Sequence, residues 1–336
     1  MNYNRIRLSV MAALVLLGSA PSAAALATAD QPCAVSDSSS GQDCLDRLTL
    51  SSGATLPYYH TYPLSGSDAA KQAVVVVHGT GRNAQGYFES MVAAAKQAGA
   101  ESSAAVIAPW FQTEEENPEG NDAYWTNGGT TSWKDGGGAV EPEGLSSFAT
   151  VDELVRVLAD KARFPNLTRI TLVGHSAGGQ FVQRYAAGGR APAQLSGVTV
   201  RYVAANPSSY LYLDAHRPVD DGLPDSCPAY DDYKYGMQHR NAYLAALSAD
   251  QLVDQYVHRD VTYLLGGDDV HHDHGIDLEC PAMAQGDNRL ERGRAYYAAV
   301  HRSYPSAPHR LVEVPGVGHD HDAMFSSEQG RTAIFG

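Results

Sequence analysis

A serine framed by glycines is the clearest chemical signal in this 336-residue chain. Residues 174–178 read Gly-His-Ser-Ala-Gly, which fits the Gly-x-Ser-x-Gly pattern of a sharp strand-to-helix turn. The glycines two positions before and after Ser176 leave room for the strained backbone of such a turn. An apolar run at 169–173 predicts the strand, and residues 180–185 predict the helix. The pattern predicts that Ser176 is a nucleophile presented at the end of a strand.

Acid and base candidates follow later in the chain, in the order that such a serine requires. A serine hydroxyl is a weak nucleophile at neutral pH, so it needs a base, and the base needs an orienting acid. Asp268 and Asp269 follow the apolar segment 261–265 after two glycines, and the Gly-x-x-Asp spacing counted from Gly266 favours Asp269, with Asp268 as the alternative. The base should follow the last strand, where a glycine loop leads to His319, with His321 as the alternative. We expect Asp269 and His319 to complete a triad with the serine.

The predicted oxyanion hole consists of two backbone N–H groups, which the negative oxygen of an acyl-transfer intermediate needs. One belongs to the residue after the nucleophile, Ala177. The other comes from the loop after an early buried strand, which reads His-Gly-Thr-Gly-Arg at 78–82. Thr80 is the donor favoured by position, and a shift by one residue stays open.

Strands and helices alternate along the chain in a way that predicts a mostly parallel sheet with helices on both faces. Strands are predicted at 45–50, 55–62, 73–77, 104–108, 169–173, 198–204, 261–265 and 311–314. Helices are predicted at 84–98, 147–161, 180–185, 238–247 and 288–302. Two long connections, 111–144 and 206–258, are candidates for a substrate-binding rim or lid. We expect residues 28–336 to form one domain.

The first 27 residues predict export. Two arginines precede an apolar stretch too short to be a membrane-spanning anchor, and Ala-Leu-Ala at 25–27 resembles a cleavage site. A cleavable signal peptide implies a secreted or periplasmic protein with no stable membrane insertion. The net charge of −14, with no cluster of Lys and Arg, argues against nucleic acid as a partner.

Four cysteines in an exported chain predict disulfides. Cys33 with Cys44 would close a short N-terminal loop. Cys227 with Cys280 would join two segments near the predicted site, and we favour this pairing among the three possible patterns. None of the four has a predicted catalytic role.

Taken together, these motifs resemble those of the α/β-hydrolase-fold serine hydrolases, the superfamily of esterases, lipases, cutinases and polyester depolymerases. The His-Gly loop at 78–79, the serine turn at 174–178, Asp269 and His319 occur in that superfamily's order and span nearly all of the chain. Residues 280–293 also resemble exported bacterial members. The resemblance implies an α/β-hydrolase fold in which 206–258 is a lid-like insertion. It further implies hydrolysis of small-molecule or polymeric carboxylic esters through an acyl-enzyme, without a cofactor.

Other functions remain open on the sequence alone. The same triad could cleave an amide or a carbon–carbon bond beside a ketone, the protein could be a polyester depolymerase, or a degenerate fold could serve binding. A metal-dependent hydrolase is a further alternative, since residues 271–274 read His-His-Asp-His and 319–322 read His-Asp-His-Asp. We predict no metal, because adjacent residues in one loop seldom converge on one ion.

The sequence leaves two alternative roles for four aromatic residues. They are Tyr87, Trp125, Trp133 and Tyr210. Either they line a cleft beside the serine as candidate substrate-binding residues, or they pack the long connections.

Overall fold

An eight-stranded sheet forms the centre of the chain. The computed structural model describes residue 1 and residues 32–33, 44–219, 223 and 225–336, so nearly all of the predicted signal peptide lies outside the described residues. The strands are β1 Leu45–Thr49, β2 Thr55–His60, β3 Gln72–Val77, β4 Ala104–Pro109, β5 Gln112–Thr113, β6 Tyr124–Trp125, β7 Arg169–His175, β8 Thr199–Ala205, β9 Asp260–Gly266 and β10 His309–Val314. The sheet has the order β1-β2-β4-β3-β7-β8-β9-β10, and β5 pairs with β6 apart from it.

Six neighbouring strands of this sheet run parallel to one another, in the order β4, β3, β7, β8, β9 and β10. The other two, β1 and β2, pair antiparallel with their neighbours. The central strands β3, β4 and β7 are buried along almost their whole length, as their continuous apolar sequences require. Because parallel strands share a direction, their carboxyl ends meet at one edge of the sheet, where the predicted site residues also lie.

Helices cover both faces of the sheet. They are α1 Ala84–Gln97, α2 Ser147–Ala159, α3 Ala177–Gly188, α4 Ala249–Val257, α5 Cys280–Met283, α6 Arg289–Ser303, α7 His321–Ser326 and α8 Glu328–Phe335. Apolar residues of α2, α3, α4 and α6 pack in the core on one face, and those of α1, α7 and α8 pack in the core on the other. The predicted α/β architecture is confirmed.

The helix predicted at 238–247 is wrong. That segment contains only a short 3₁₀ turn at Leu244–Ala246, and the helix lies further on as α4. Asn241 explains part of the difference, because its side chain accepts from the Leu244 N–H and donates to the Asp135 carbonyl instead of continuing a helix. Ser248 begins α4 with a reciprocal capping box to Gln251.

Both predicted disulfides are present. Cys33 bonds to Cys44, 11 residues on, and Cys227 bonds to Cys280, which joins the long 206–258 connection to α5 across 53 residues of sequence. Among the described residues, no helix has the length and apolar character needed to cross a membrane.

Candidate active site

Ser176 lies in the tight turn between β7 and α3. Its φ of 60° falls in the left-handed region, which is uncommon for a residue other than glycine. A Cβ at Gly174 would collide with the carbonyl of Gly178, and a Cβ at Gly178 would collide with the carbonyl of Val77. The two glycines of the motif are therefore required by close backbone approach, as the sequence predicts. The Ser176 N–H donates to the Ala205 carbonyl of β8 at 2.9 Å, which ties the turn to the sheet.

Asp269 and His319 meet across two loops at the carboxyl ends of β9 and β10. His319 Nδ1 lies 2.7 Å from Asp269 Oδ2, and the Asp269 side chain is only 1% exposed. The alternative acid, Asp268, is exposed to solvent. Of the two neighbouring aspartates, Asp269 is thus the one that can orient the imidazole.

Burial is the main influence on the pKa of His319, and it lowers that pKa. The hydrogen bond to Asp269 raises the pKa in part, whereas the charges of Arg289 and His274 lower it. A neutral imidazole that donates from Nδ1 keeps Nε2 free to accept a proton. Within the described residues no hydrogen bond joins the Ser176 hydroxyl to His319; such bonds often tighten only when substrate is bound.

A buried arginine holds the other oxygen of Asp269. Arg289 Nη1 lies 3.3 Å from Asp269 Oδ1, and Nη2 donates to the carbonyls of Asp273 and His274 at 3.0 Å. No motif of the sequence marks Arg289 as a site residue. One signal was present: Arg289 is the first residue of α6, where the helix dipole disfavours a cation unless a partner holds it.

His321, the alternative base, has different partners. Its ring stacks on that of Tyr87 at 4.0 Å with an interplanar angle of 6°, and its centroid lies 6.1 Å from that of His175. It makes no hydrogen bond to Asp269 among the described residues. His321 therefore flanks the pair of Asp269 and His319.

Thr80 and Ala177, the predicted oxyanion donors, both have N–H groups without a protein acceptor among the described residues. Ala177 is the first residue of α3, where N–H groups lack an intrahelical partner. Thr80 lies in a turn closed by a 3.0 Å bond from the Arg82 N–H to the Gly79 carbonyl. A Cβ on Gly79 would be 3.7 Å from the Ser176 Cβ, so this loop lies beside the serine.

Of the two roles left open for Trp125, Trp133 and Tyr210, the full burial of all three side chains favours packing over the lining of a cleft. Each ring packs in the core: Trp133 stacks on Phe111 and Tyr210 on Tyr296. The alternative role, packing of the long connections, explains them. Tyr87 is also buried, and its hydroxyl lies 3.3 Å from His175 Nδ1.

The two histidine-rich loops differ in the exposure of their potential metal ligands. All four residues at 271–274 are exposed. Within the described part of the chain, ligand atoms of Asp320, His321 and Asp322 lie within 4.8 Å of one another. They are consecutive residues in one turn, and the histidine ring is stacked on Tyr87.

Solved structures share this architecture. LpqC, a poly(3-hydroxybutyrate) depolymerase from Bordetella parapertussis, is 23% identical with a TM-score of 0.59 over 83% of this chain and 86% of its own. Poly(aspartic acid) hydrolase-1 from Sphingomonas sp. KT-1 is 22% identical with a TM-score of 0.60 over 87% and 98%. An S-formylglutathione hydrolase from Agrobacterium tumefaciens is 14% identical with a TM-score of 0.50 over 86% and 93%.

Comparison of the sequence with models of known protein families finds no match, and comparison with curated proteins finds none either. At these low identities the structural likenesses establish the fold, which is that of the α/β-hydrolases.

Proposed function

We propose that this protein is a serine hydrolase that cleaves carboxylic esters through an acyl-enzyme. The observation that carries the proposal is the buried Asp269–His319 hydrogen bond of 2.7 Å at the sheet edge that also bears the strained Ser176 turn. Strain at a serine and a desolvated acid–base pair each cost stability, and nucleophilic catalysis is the chemistry that uses both.

Each residue has a defined role in the proposed reaction. The Ser176 Oγ attacks the acyl carbon while His319 Nε2 takes the hydroxyl proton, and Asp269 stabilises the resulting imidazolium. The N–H groups of Ala177 and Thr80 hold the developing oxyanion. The imidazolium gives its proton to the departing alkoxide. Water, activated by the same imidazole, then hydrolyses the acyl-enzyme and restores the serine.

The names of the structural neighbours support ester hydrolysis as a general class. LpqC is a polyester depolymerase by name, so a polymeric ester substrate is one candidate. Poly(aspartic acid) is a polyamide, and the likeness to a hydrolase of that polymer favours an amide as the second candidate substrate. A ketone-adjacent carbon–carbon bond has no such support.

We further propose that the protein acts outside the cytoplasm. Its two disulfides fit an oxidising compartment, and the sequence of residues 1–27 fits a cleaved export signal.

A panel of p-nitrophenyl esters of increasing acyl length tests the proposal. The wild-type protein should turn over at least one ester, and Ser176→Ala should lose that turnover. Ser306→Ala is the matched control, because Ser306 is exposed in the loop before β10, at the opposite edge of the sheet. Equal turnover by wild type and Ser176→Ala would refute the nucleophile. Turnover of amides alone would select the second candidate.

A further inference from the structure

Asn206 follows β8 directly and is buried beside the site. Its side-chain amide has a fixed orientation because two backbone groups define it. The Oδ1 accepts from the Gly266 N–H at 2.7 Å, and the Nδ2 donates to the Gly318 carbonyl at 3.3 Å. Gly266 ends β9, three residues before Asp269, and Gly318 immediately precedes His319. One side chain therefore bonds the loop of the acid and the loop of the base.

The same amide nitrogen also reaches the nucleophile turn. Asn206 Nδ2 lies 3.3 Å from Nε2 of His175, the residue before Ser176. Because the amide nitrogen can only donate, Nε2 must accept, which leaves the imidazole proton on Nδ1. Complete burial lowers the pKa of His175 well below its usual range and keeps the ring neutral, as this arrangement requires.

Tyr87 connects His175 to the loop that contains Gly79 and Thr80. His175 Nδ1 lies 3.3 Å from the Tyr87 hydroxyl, which accepts the remaining ring proton. The same hydroxyl lies against Gly79, the residue before Thr80. A Cβ on Gly79 would lie 2.6 Å from the hydroxyl oxygen, so no side chain fits there. Hydrogen bonds thus run from Tyr87 through His175 in the serine turn to the acid and base loops, and Tyr87 packs against the predicted oxyanion loop.

We propose that Asn206 is a positioning residue, whose amide aligns the loops of Asp269 and His319 with the Ser176 turn. This inference rests on the proposed function. The position needs one acceptor and two donor hydrogens, which an asparagine supplies and an aspartate does not. It also needs a left-handed backbone with a φ of 45°, which asparagine tolerates better than most residues.

Asn206→Asp is the sharpest test, because it keeps the size and the acceptor and removes both donors. The kcat for p-nitrophenyl acetate should fall about 10²-fold, the scale expected when a reacting group is misplaced by about 1 Å, with little change in KM. The kcat values are calculated per active site, and the sites are counted by fluorophosphonate labelling taken to completion. A lower yield of folded protein therefore does not lower the calculated kcat. Asn166→Asp is the control: its amide also donates to a backbone carbonyl, but it is exposed and precedes β7 at the opposite edge.

Two further variants keep the inference open to refutation if the aspartate variant does not fold. Asn206→Gly accepts the positive φ and deletes the whole amide, and it should also lower kcat per site. Tyr87→Phe removes only the hydroxyl. Its effect combined with Asn206→Asp should be less than the product of the two single effects, since both act through His175.

An unchanged kcat per labelled site, accompanied only by a lower melting temperature, would overturn the inference and assign Asn206 a purely structural role. Failure of the proposed function gives a different result, because wild type would then show no turnover that depends on Ser176.

Discussion

Two short loops of this protein contain nearly the same residue types, but only one of them places a histidine against a buried carboxylate among the described residues. Residues 271–274 read His-His-Asp-His and are exposed, and within the described part of the chain His272 bonds to Asp287, a residue that is itself exposed. Residues 319–322 read His-Asp-His-Asp, and His319 in this loop bonds to Asp269, whose side chain is 1% exposed.

The difference lies in the partner, not in the histidine. A histidine–carboxylate pair in water is screened and contributes little, whereas a desolvated pair shifts pKa values and fixes orientation. The loop at 319–322 gains its buried partner because β9 and β10 are neighbours in register, with Val314 opposite Gly266. The loop at 271–274 also follows β9, but its four residues are exposed to solvent.

Replacement of the histidine in each loop should give the largest contrast. His319→Ala should lower kcat/KM for a p-nitrophenyl ester by about 10⁴-fold or more, because it removes the base. His272→Ala should leave kcat/KM unchanged. Comparable losses of kcat/KM in the two variants would show that burial does not explain a functional difference between the loops.

Arg289, which bonds the second oxygen of Asp269, provides an independent test of the buried Asp269–His319 pair. Arg289→Met leaves the Asp269 carboxylate buried without its cation, which should cost about 3–5 kcal/mol of unfolding free energy in a urea titration. Arg294→Met, on the same helix, removes an exposed ion pair to Glu313 and should cost about 0–1 kcal/mol. Equal losses of unfolding free energy in the two variants would contradict the expectation that the buried ion pair matters more than the exposed one.

The pH profile of the same variant has a predictable sign. His319 must be neutral to act as a base, so activity is lost as the pH falls through its pKa. Burial lowers this pKa, and the Arg289 and His274 charges lower it further, while Asp269 raises it. Arg289→Met should therefore raise the pKa and move the acid limb of kcat/KM to higher pH. Arg294→Met should leave the limb in place, and a shift to lower pH in Arg289→Met would contradict the assignment.

His321 differs from His319 within one loop. His321→Ala should keep most of the turnover, and it should cost about 0.5–1.5 kcal/mol of stability through the lost stack on Tyr87. Ester assays and thermal melts measure the two effects. If this variant were inactive and His319→Ala active, the assignment of the base would have to be reversed.

The smallest effect is expected from metal removal. EDTA should leave ester turnover unchanged, because no step assigned to the triad uses an ion. Loss of turnover with EDTA and its recovery with zinc would favour a metal-dependent reaction over the triad.

Local patterns were sufficient wherever the relevant partner lies close in sequence. The apolar run of β7 and the glycines around Ser176 predicted a turn whose geometry depends on neighbouring backbone atoms. The helix at 238–247 was misplaced because Asn241 bonds to Asp135, a partner 106 residues away that no local pattern reveals. Trp125 and Trp133 were ambiguous because an apolar ring suits a core as well as a cleft.

The sequence by itself determined the alternation of strands and helices and the serine turn, since each follows from residue type and short-range spacing, and it favoured the disulfide pairing without fixing it. Only the tertiary structure decided which aspartate faces His319 and which charges surround it. It alone revealed Asn206, whose amide partners lie 31 to 112 residues away along the chain. The physical reason is that burial and hydrogen-bond partners become defined only when the carboxyl ends of separate parallel strands meet at one edge of the sheet.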